Sequence, residues 1–340
     1  MGKFSGAAVA ALLAVLGAAC AATPPVAITD GRIDRWDPAM DAIVPKDWKI
    51  EKIAEGFGWA EGPIWIQSGG YLLFTDVPGN KMWKWSEKGG LEKFLDPSGA
   101  VTFDPNIWRE AGANGLAIDG PGSILVADTG NRGIQRLDLA TKQKTPVAMS
   151  FEGKKFSSPN DVVKMKGGVL FFTDPPYGFR KFDDAAEKEI SFNGVYRMGT
   201  DGKVTAIEKE LTRPNGVALS PDESVLYVAQ SEGHKAIINA YSLDQAGNVT
   251  GKKLFQDTTD LVSKDAPGAP DGLTVAADGT VFTSGPGGVL VISKDGKRLG
   301  RIWDGKQTAN CKFGDDGKTL YMTSSNFVAR IRLNIKGAGF

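Results

Sequence analysis

One pattern of polar and hydrophobic positions recurs along the chain. A polar residue is followed by a small residue, an apolar run, a turn rich in Gly or Asp, and a second apolar run. The clearest copy is Pro159–Asp174 (PNDVVKMKGGVLFFTD), where Gly167 and Gly168 separate two runs of β-branched and aromatic residues. This arrangement predicts two antiparallel strands joined by a tight turn.

The chain contains six copies of this pattern, and their positions predict the fold. They are Ala60–Asp76, Ala113–Asp128, Pro159–Asp174, Pro214–Ala229, Pro270–Ser284 and Ala309–Ser324. A period of roughly 40–50 residues with several short strands per unit is typical of β-propellers. The sequence therefore predicts an all-β, six-bladed β-propeller that fills residues 47–340 as one domain, with an N-terminal segment near Ile50 completing the last blade.

The first 46 residues do not follow the repeat. Residues 1–22 carry an early lysine, an apolar run and then small residues, which is the pattern of a secretory signal peptide. Ala19-Cys20-Ala21 fits a cleavage site, whereas Cys20 with the four residues before it resembles a lipoprotein box. Both routes predict a periplasmic or secreted protein, and the second adds a lipid anchor on Cys20. Residues 23–46 are expected to form an extended lead-in.

Composition and charge restrict the partners. The chain has 40 Lys and Arg against 40 Asp and Glu, so its net charge is zero, which argues against binding to nucleic acid. The single histidine, His234, lies outside the repeated pattern, which argues against a Ser-His-Asp hydrolase. The sequence does not indicate an oligomeric state.

The polar residues that begin the six copies are the candidate functional residues. They are Glu61, Asn114, Asn160, Asn215, Asp271 and Asn310. The first strand of each propeller blade lines the central channel, so these residues should converge at one end of it. Their oxygen-only side chains suit a hard divalent cation such as Ca²⁺. The alternative is that Asn-Gly and Asp-Gly only form turns and that Asn or Asp at a strand start only satisfies local backbone groups. Glu61, a poor turn residue, argues against it.

Several motifs resemble the gluconolactonase / senescence-marker-protein / luciferin-regenerating-enzyme family over essentially the whole chain after Asp47. They are EGP at Glu61–Pro63, SPNDVV at Ser158–Val163, FTDPPYG at Phe172–Gly178, FNGVYR at Phe192–Arg197, RPNGVALSPDE at Arg213–Glu223, GAPDGL at Gly268–Leu273 and ANCKFGDDGKTLY at Ala309–Tyr321. The resemblance implies one divalent cation in the channel, Ca²⁺ first, with Zn²⁺ or Mg²⁺ as alternatives. It implies Glu61, Asn215 and Asp271 as ligands, with Asn160 joining them or contacting substrate.

The same resemblance implies a metal-dependent lactonase. The cation would polarise the lactone carbonyl, and Asp271 would activate water or attack directly. Candidate substrate contacts are Asn114, Asp161, Asp128, Arg132 and Tyr177. Where the family has His-Gly-Asn-Arg after the second strand of blade 2, this chain has Thr129-Gly130-Asn131-Arg132 preceded by Asp128, so a histidine contact is missing.

The expected substrate is a sugar lactone such as gluconolactone, and two alternatives remain open. The first is hydrolysis of another ester or of an organophosphate at the same site, because the same cation suits a phosphoryl oxygen. The second is a non-catalytic propeller that keeps Ca²⁺ and binds a sugar or protein partner.

Overall fold

The computed structural model describes residues 24–340, so the predicted signal peptide and Cys20 lie outside the described residues. The N-terminal part contains β1 (Val26–Ala27), β2 (Arg32–Arg35), α1 (Met40–Ile43) and β3 (Ile50–Glu55). Across residues 24–340, no helix has the length and hydropathy needed to cross a membrane.

Six antiparallel sheets form the blades of a propeller. Blade 1 contains β4 (Ala60–Ile66), β5 (Tyr71–Asp76), β6 (Lys81–Ser86) and β7 (Gly90–Leu95). Blade 2 contains β8 (Ala113–Gly120), β9 (Ser123–Asp128), β10 (Gly133–Asp138) and β11 (Lys144–Ala148). A hairpin of β12 (Ser150–Phe151) and β13 (Lys154–Lys155) precedes blade 3, which contains β14 (Val162–Lys164), β15 (Leu170–Asp174), β16 (Gly194–Met198) and β17 (Val204–Glu208).

The remaining three blades follow the same plan. Blade 4 contains β18 (Pro214–Leu219), β19 (Val225–Gln230), β20 (Ile237–Leu243) and β21 (Val249–Asp257). Blade 5 contains β22 (Leu273–Val275), β23 (Val281–Gly285), β24 (Gly288–Ile292) and β25 (Arg298–Trp303), and blade 6 contains β26 (Thr308–Gly314), β27 (Thr319–Ser324) and β28 (Phe327–Arg332). Short 3₁₀ turns occur at Phe182–Asp184 and Thr259–Leu261. The predicted all-β, six-bladed fold is confirmed.

The N-terminal segment closes the ring of blades. Strand β3 pairs with β28 as the fourth strand of blade 6, with Ala54 opposite Val328. The prediction that the segment near Ile50 completes the last blade is therefore confirmed. Within the lead-in, β1 adds a fifth strand outside β3, and β2 adds one outside β25. The two ends of the propeller domain thus stabilise each other through backbone hydrogen bonds.

The hydrophobic core lies between neighbouring blades rather than within any one of them. Six apolar clusters each join two adjacent blades, as where Ile64 of blade 1 packs with Leu116 of blade 2. Across the closure, Trp65 of blade 1 stacks on Tyr321 of blade 6 with ring centroids 5.7 Å apart. Because successive side chains of a strand point to opposite faces, each blade packs against both neighbours. This packing fixes the inner strands that line the channel.

Candidate active site

The six leading polar residues of the repeats occupy one end of the inner strands, and we call them the channel ring. They are Glu61, Asn114, Asn215 and Asn310, within β4, β8, β18 and β26, and Asn160 and Asp271, two residues before β14 and β22. All are buried except Asp271, which is half-buried. Since these residues lie within or directly before strands, the dipeptides do not form turns. The other part of the alternative, that such side chains satisfy local backbone groups, applies to Asn310, whose Oδ1 accepts from Cys311 N.

At least one hydrogen bond joins each pair of neighbouring blades at the channel ring. These bonds are Thr75 Oγ1 to Asn114 O at 3.1 Å, Gly115 N to Asn160 O at 2.7 Å, Val217 N to Asp161 Oδ2 at 3.1 Å, Gly216 N to Asp271 O at 3.1 Å, Gly272 N to Ala309 O at 2.8 Å and Asn310 Nδ2 to Glu61 Oε2 at 3.2 Å. The repeated positions of neighbouring blades therefore meet at one end of the channel, and the side chains of Asn310 and Glu61 are in direct contact.

The inner strands of neighbouring blades approach each other closely at the ring, and this explains the glycines that follow ring residues. A Cβ added at Gly216 would lie 2.1 Å from the carbonyl oxygen of Asp271, and one at Gly272 would lie 1.9 Å from Cγ of Asn310. Blade 3 has Asp161 where blades 4 and 5 have these glycines. The Oδ2 atom of Asp161 accepts a hydrogen bond from Val217 N on the inner strand of blade 4. The Asn-Gly and Asp-Gly dipeptides thus report packing around the channel rather than turns.

Two asparagines of the ring have buried oxygens without donors. Among the described residues, Oδ1 of Asn114 and Oδ1 of Asn215 have no hydrogen-bond partner. The Asn215 amide is oriented by Ser231, whose Oγ accepts from Asn215 Nδ2 at 2.9 Å and donates to the Pro270 carbonyl at 2.6 Å. Leaving a buried acceptor unpaired costs about 1–3 kcal/mol, so such oxygens are typical of a ligand site.

The carboxylates of the ring lie in a strongly negative environment. Burial raises the pKa of Glu61 to about 7. The hydrogen bonds that Glu61 accepts from Gly62 N and Asn310 Nδ2 favour its charged form and partly oppose this shift. Burial also raises the pKa of Asp271 well above its usual range, and the charges of Glu61 and Asp161 raise it further. Burial raises the pKa of Asp161 to about 6, and Lys312 opposes this shift. A cation at this end of the channel would relieve the mutual repulsion.

The ring residues fit a hard divalent cation, although not as a cluster of acidic side chains alone. Among residues 24–340, no three His, Cys, Asp or Glu side chains group closely enough to hold a metal ion. The ring offers two carboxylates, on Glu61 and Asp271, together with amide oxygens such as the unpaired Oδ1 of Asn215. Ca²⁺ accepts carboxylate and amide oxygens in variable number, so this donor set suits it.

Comparison with known proteins identifies the family to which the chain belongs. Residues 59–326 match the family described as the SMP-30/Gluconolactonase/LRE-like region. The chain belongs to this family. It is 41% identical over 313 residues to a gluconolactonase of Zymomonas mobilis, covering 91% of this chain and 88% of that protein. The family resemblance of the motifs is therefore confirmed.

Solved structures of SMP-30/gluconolactonase-type proteins share the fold. A gluconolactonase from Xanthomonas campestris matches with a TM-score of 0.78 and 29% identity, covering 92% of this chain and 98% of that one. A regucalcin from Agrobacterium tumefaciens, described as a calcium-binding protein, matches with a TM-score of 0.65 and 19% identity, covering 85% and 94% of the two chains. At that identity the second match supports the fold alone.

Tyr177 lies beside the ring, as expected for a residue that meets a substrate. Its hydroxyl donates to the Ser231 carbonyl at 3.4 Å, and Asn215 and Asp271 are near enough to affect its pKa. Burial raises the pKa of Tyr177, and the charge of Asp271 raises it further, so the hydroxyl keeps its proton at neutral pH. To donate a hydrogen bond to a bound molecule, Tyr177 would have to turn its O–H away from the long bond to the Ser231 carbonyl.

Glu110 is a carboxylate near the ring that the repeat pattern did not single out. Burial raises its pKa to about 7, against the ion pair with Arg109 at 2.6 Å, and its charge acts on both Glu61 and Asp271. It lies on the loop before blade 2, where Arg109 N donates to Gly178 O at 2.7 Å. Since Glu110 lies outside the repeated phase, the sequence carried no signal for it.

Two predicted substrate contacts have other partners. Asp128 is fully buried, and its oxygens accept bonds from Asn131, Gln135 and Lys144 of its own blade. Arg132 donates to backbone carbonyls at Phe156 and Glu187. The structure does not bring either side chain to the channel ring, and these contacts indicate that both stabilise loops.

Other features of the molecule lie apart from the ring. A cavity of about 730 Å³ opens at the opposite end of the inner strands, where Ile66, Ile118 and the C-terminal Phe340 are among its lining residues, and no ring residue lines it. The His234 side chain is 83% exposed beside Glu232. Neither feature offers convergent acceptor oxygens, so the channel ring is the candidate active site.

Proposed function

We propose that this chain is a cation-dependent lactonase that opens a sugar lactone of the gluconolactone type. Gluconolactonase-like hydrolysis is supported by 41% identity to a gluconolactonase over 91% of the chain. The observation that carries the mechanism is the channel ring, where the buried, unpaired Oδ1 of Asn215 accompanies the mutually repelling carboxylates of Glu61 and Asp271.

The donor set indicates which residues would hold the cation. We assign Glu61, Asn215 and Asp271 as ligands, with Asn160 as a fourth whose side chain has no hydrogen-bond partner among residues 24–340. Ca²⁺ is favoured over Zn²⁺, which usually takes nitrogen and sulfur ligands. When bound, such an ion polarises the lactone carbonyl and stabilises the negative charge that develops on its oxygen.

The protein groups then have separate roles. Asp271 accepts the proton of the water that attacks the carbonyl carbon. The bond between that carbon and the ring oxygen breaks, and the leaving oxygen takes up a proton to give the open hydroxy acid. Tyr177 donates to the substrate from beside Asn215, and Asn114 offers its unpaired Oδ1 to a sugar hydroxyl. Asp161 is held by two backbone N–H groups and supports the ring.

The test compares two buried aspartates. Asp271→Asn is expected to lower kcat/KM on gluconolactone by about 10²–10⁴-fold, the usual contribution of a general base. Asp304→Asn, in a buried aspartate whose carboxylate accepts from Ser324 outside the ring, controls for loss of a buried charge. Chelator should abolish the activity and Ca²⁺ should restore it.

The same assays separate the alternatives. A phosphotriester hydrolysed faster than any lactone, with the same chelator sensitivity, would favour the esterase or organophosphate alternative. Tight Ca²⁺ binding with no turnover of either substrate would favour a non-catalytic propeller. Full lactonase activity in chelator, or in Asp271→Asn, would refute the mechanism.

A further inference from the structure

We infer that Ser231 and Asn310 are positioning residues that fix the orientation of two proposed cation ligands, Asn215 and Glu61. Neither residue is among the proposed ligands, and each acts through one of them. The inference rests on the proposed function, because it concerns how the ring presents oxygen atoms to a cation.

The direction of each hydrogen bond around Ser231 follows from its partners. The Pro270 carbonyl can only accept, so the Ser231 hydroxyl must donate to it, at 2.6 Å. The Ser231 oxygen then accepts from the neighbouring amide, which must present Nδ2 of Asn215, at 2.9 Å. The Oδ1 end of Asn215 is thereby directed away from Ser231 and is left buried without a donor. Without the hydroxyl, the bond that selects this orientation is lost, and the amide can present its NH₂ group instead.

The same reasoning orients Asn310. The backbone N–H of Cys311 can only donate, so it fixes Oδ1 of Asn310 as its acceptor, at 2.8 Å. Nδ2 of Asn310 therefore faces Glu61 and donates to Oε2 at 3.2 Å, where Gly62 N also donates at 3.0 Å. Two donors on Oε2 leave Oε1 of Glu61 as the oxygen available to a cation. Asn310 occupies a ring position, but both ends of its amide are already engaged.

The fold supplies a matched control for Ser231. Thr129 follows the second strand of blade 2 as Ser231 follows that of blade 4, and its Oγ1 donates to the Pro159 carbonyl at 2.9 Å. Both hydroxyls therefore bridge to the carbonyl that precedes a ring residue of the next blade. The Thr129 hydroxyl accepts no bond from a ring side chain, so Thr129→Val removes a bridge to the carbonyl before Asn160 without removing a bond to the side chain of a proposed ligand.

The experiment measures Ca²⁺ affinity by isothermal titration calorimetry on chelator-treated protein. Ser231→Ala and Asn310→Ala are expected to weaken Ca²⁺ binding by about 10–100-fold, the usual effect of losing a group that orients a metal ligand. Ser231→Thr, which keeps the hydroxyl, and Thr129→Val should stay within about twofold of the wild type. Thermal unfolding without Ca²⁺ reports any general loss of structure, and lactonase activity of Ser231→Ala should recover at high Ca²⁺.

The outcomes distinguish this inference from the proposed function. If Ser231→Ala binds Ca²⁺ as tightly as Thr129→Val does, the positioning role is wrong while the lactonase proposal stands. An equal loss in Ser231→Ala and Ser231→Thr would also overturn it, because the hydroxyl would then be irrelevant. A wild-type protein that binds no Ca²⁺ and hydrolyses lactone in chelator would overturn both.

Discussion

Replacing Glu61 by Gln should make the cation-free protein more stable at neutral pH while removing its response to Ca²⁺. Glu61 is 3% exposed, and burial raises its pKa from 4.5 to about 7. A carboxyl whose pKa is raised on folding binds more protons in the native state than in the unfolded state. Stability therefore falls as the pH rises from about 4.5 to about 7 and stays low above that range.

The size of the effect follows from the shift. One pKa unit corresponds to about 1.4 kcal/mol, so at pH 8 the ionised Glu61 costs the folded cation-free protein about 3 kcal/mol. Glutamine carries no charge, so Glu61→Gln should be more stable than wild type by up to about 3 kcal/mol at pH 8 and by little near pH 4.5. Loss of the Glu61 charge also lowers the pKa of Asp271, which adds to the gain.

Urea unfolding at pH 5 and pH 8, with and without Ca²⁺, measures this difference. With Ca²⁺ at about 100 times its dissociation constant, wild type should gain about 2.7 kcal/mol and Glu61→Gln almost nothing. Glu92→Gln, in an exposed glutamate of β7 paired with Lys84, is the control and should change little under either condition. A chelated Glu61→Gln protein no more stable than wild type at pH 8, or a difference independent of pH, would refute the reasoning.

Three further predictions follow from the packing and the site. Gly272→Ala should lower the free energy of unfolding by about 1–3 kcal/mol and weaken Ca²⁺ binding, because its Cβ would displace the Asn310 side chain. Urea unfolding and calorimetry measure the two effects. The control is Gly167→Ala, whose Cβ meets nothing within 4 Å and which should change neither quantity. Ile53→Ala in β3 should cost about 2–5 kcal/mol in urea unfolding, since this buried side chain belongs to the strand that closes the ring. Tyr177→Phe should raise KM for a lactone with unchanged Ca²⁺ affinity, and a lowered affinity by calorimetry would contradict its placement as a substrate contact.

Much of the fold was predictable because the propeller repeats itself. Each inner hairpin is encoded by the same order of a polar residue, a small residue and an apolar run. The number of blades and the closing strand near Ile50 could therefore be predicted. The short edge strands at Val26–Ala27 and Arg32–Arg35 were not predicted in the lead-in. They pair through backbone hydrogen bonds at the outer edge of a blade, where side chains face solvent and leave no periodic pattern.

The sequence could indicate candidate site residues only where they share the repeated phase. Glu61, Asn215 and Asp271 occupy the same place in their repeats, and the fold brings equal places together. Glu110 approaches from a loop, and Ser231 acts through a bond whose direction depends on the carbonyl of Pro270 in the next blade. Such contacts depend on distances between blades in the folded protein. They cannot be predicted from the spacing of residues along the sequence.

The order of residues around the channel shows how a repetitive fold acquires one specific site. Blade 6 lies between the two ring carboxylates, with Glu61 on one side in blade 1 and Asp271 on the other in blade 5. A third acid at this position would add a charge where burial already raises the pKa values of both neighbours. Asn310 instead places an amide there, which donates to Glu61 and is held by its own backbone. Asn310 thus lowers the cost of burying Glu61 and Asp271 on either side of blade 6.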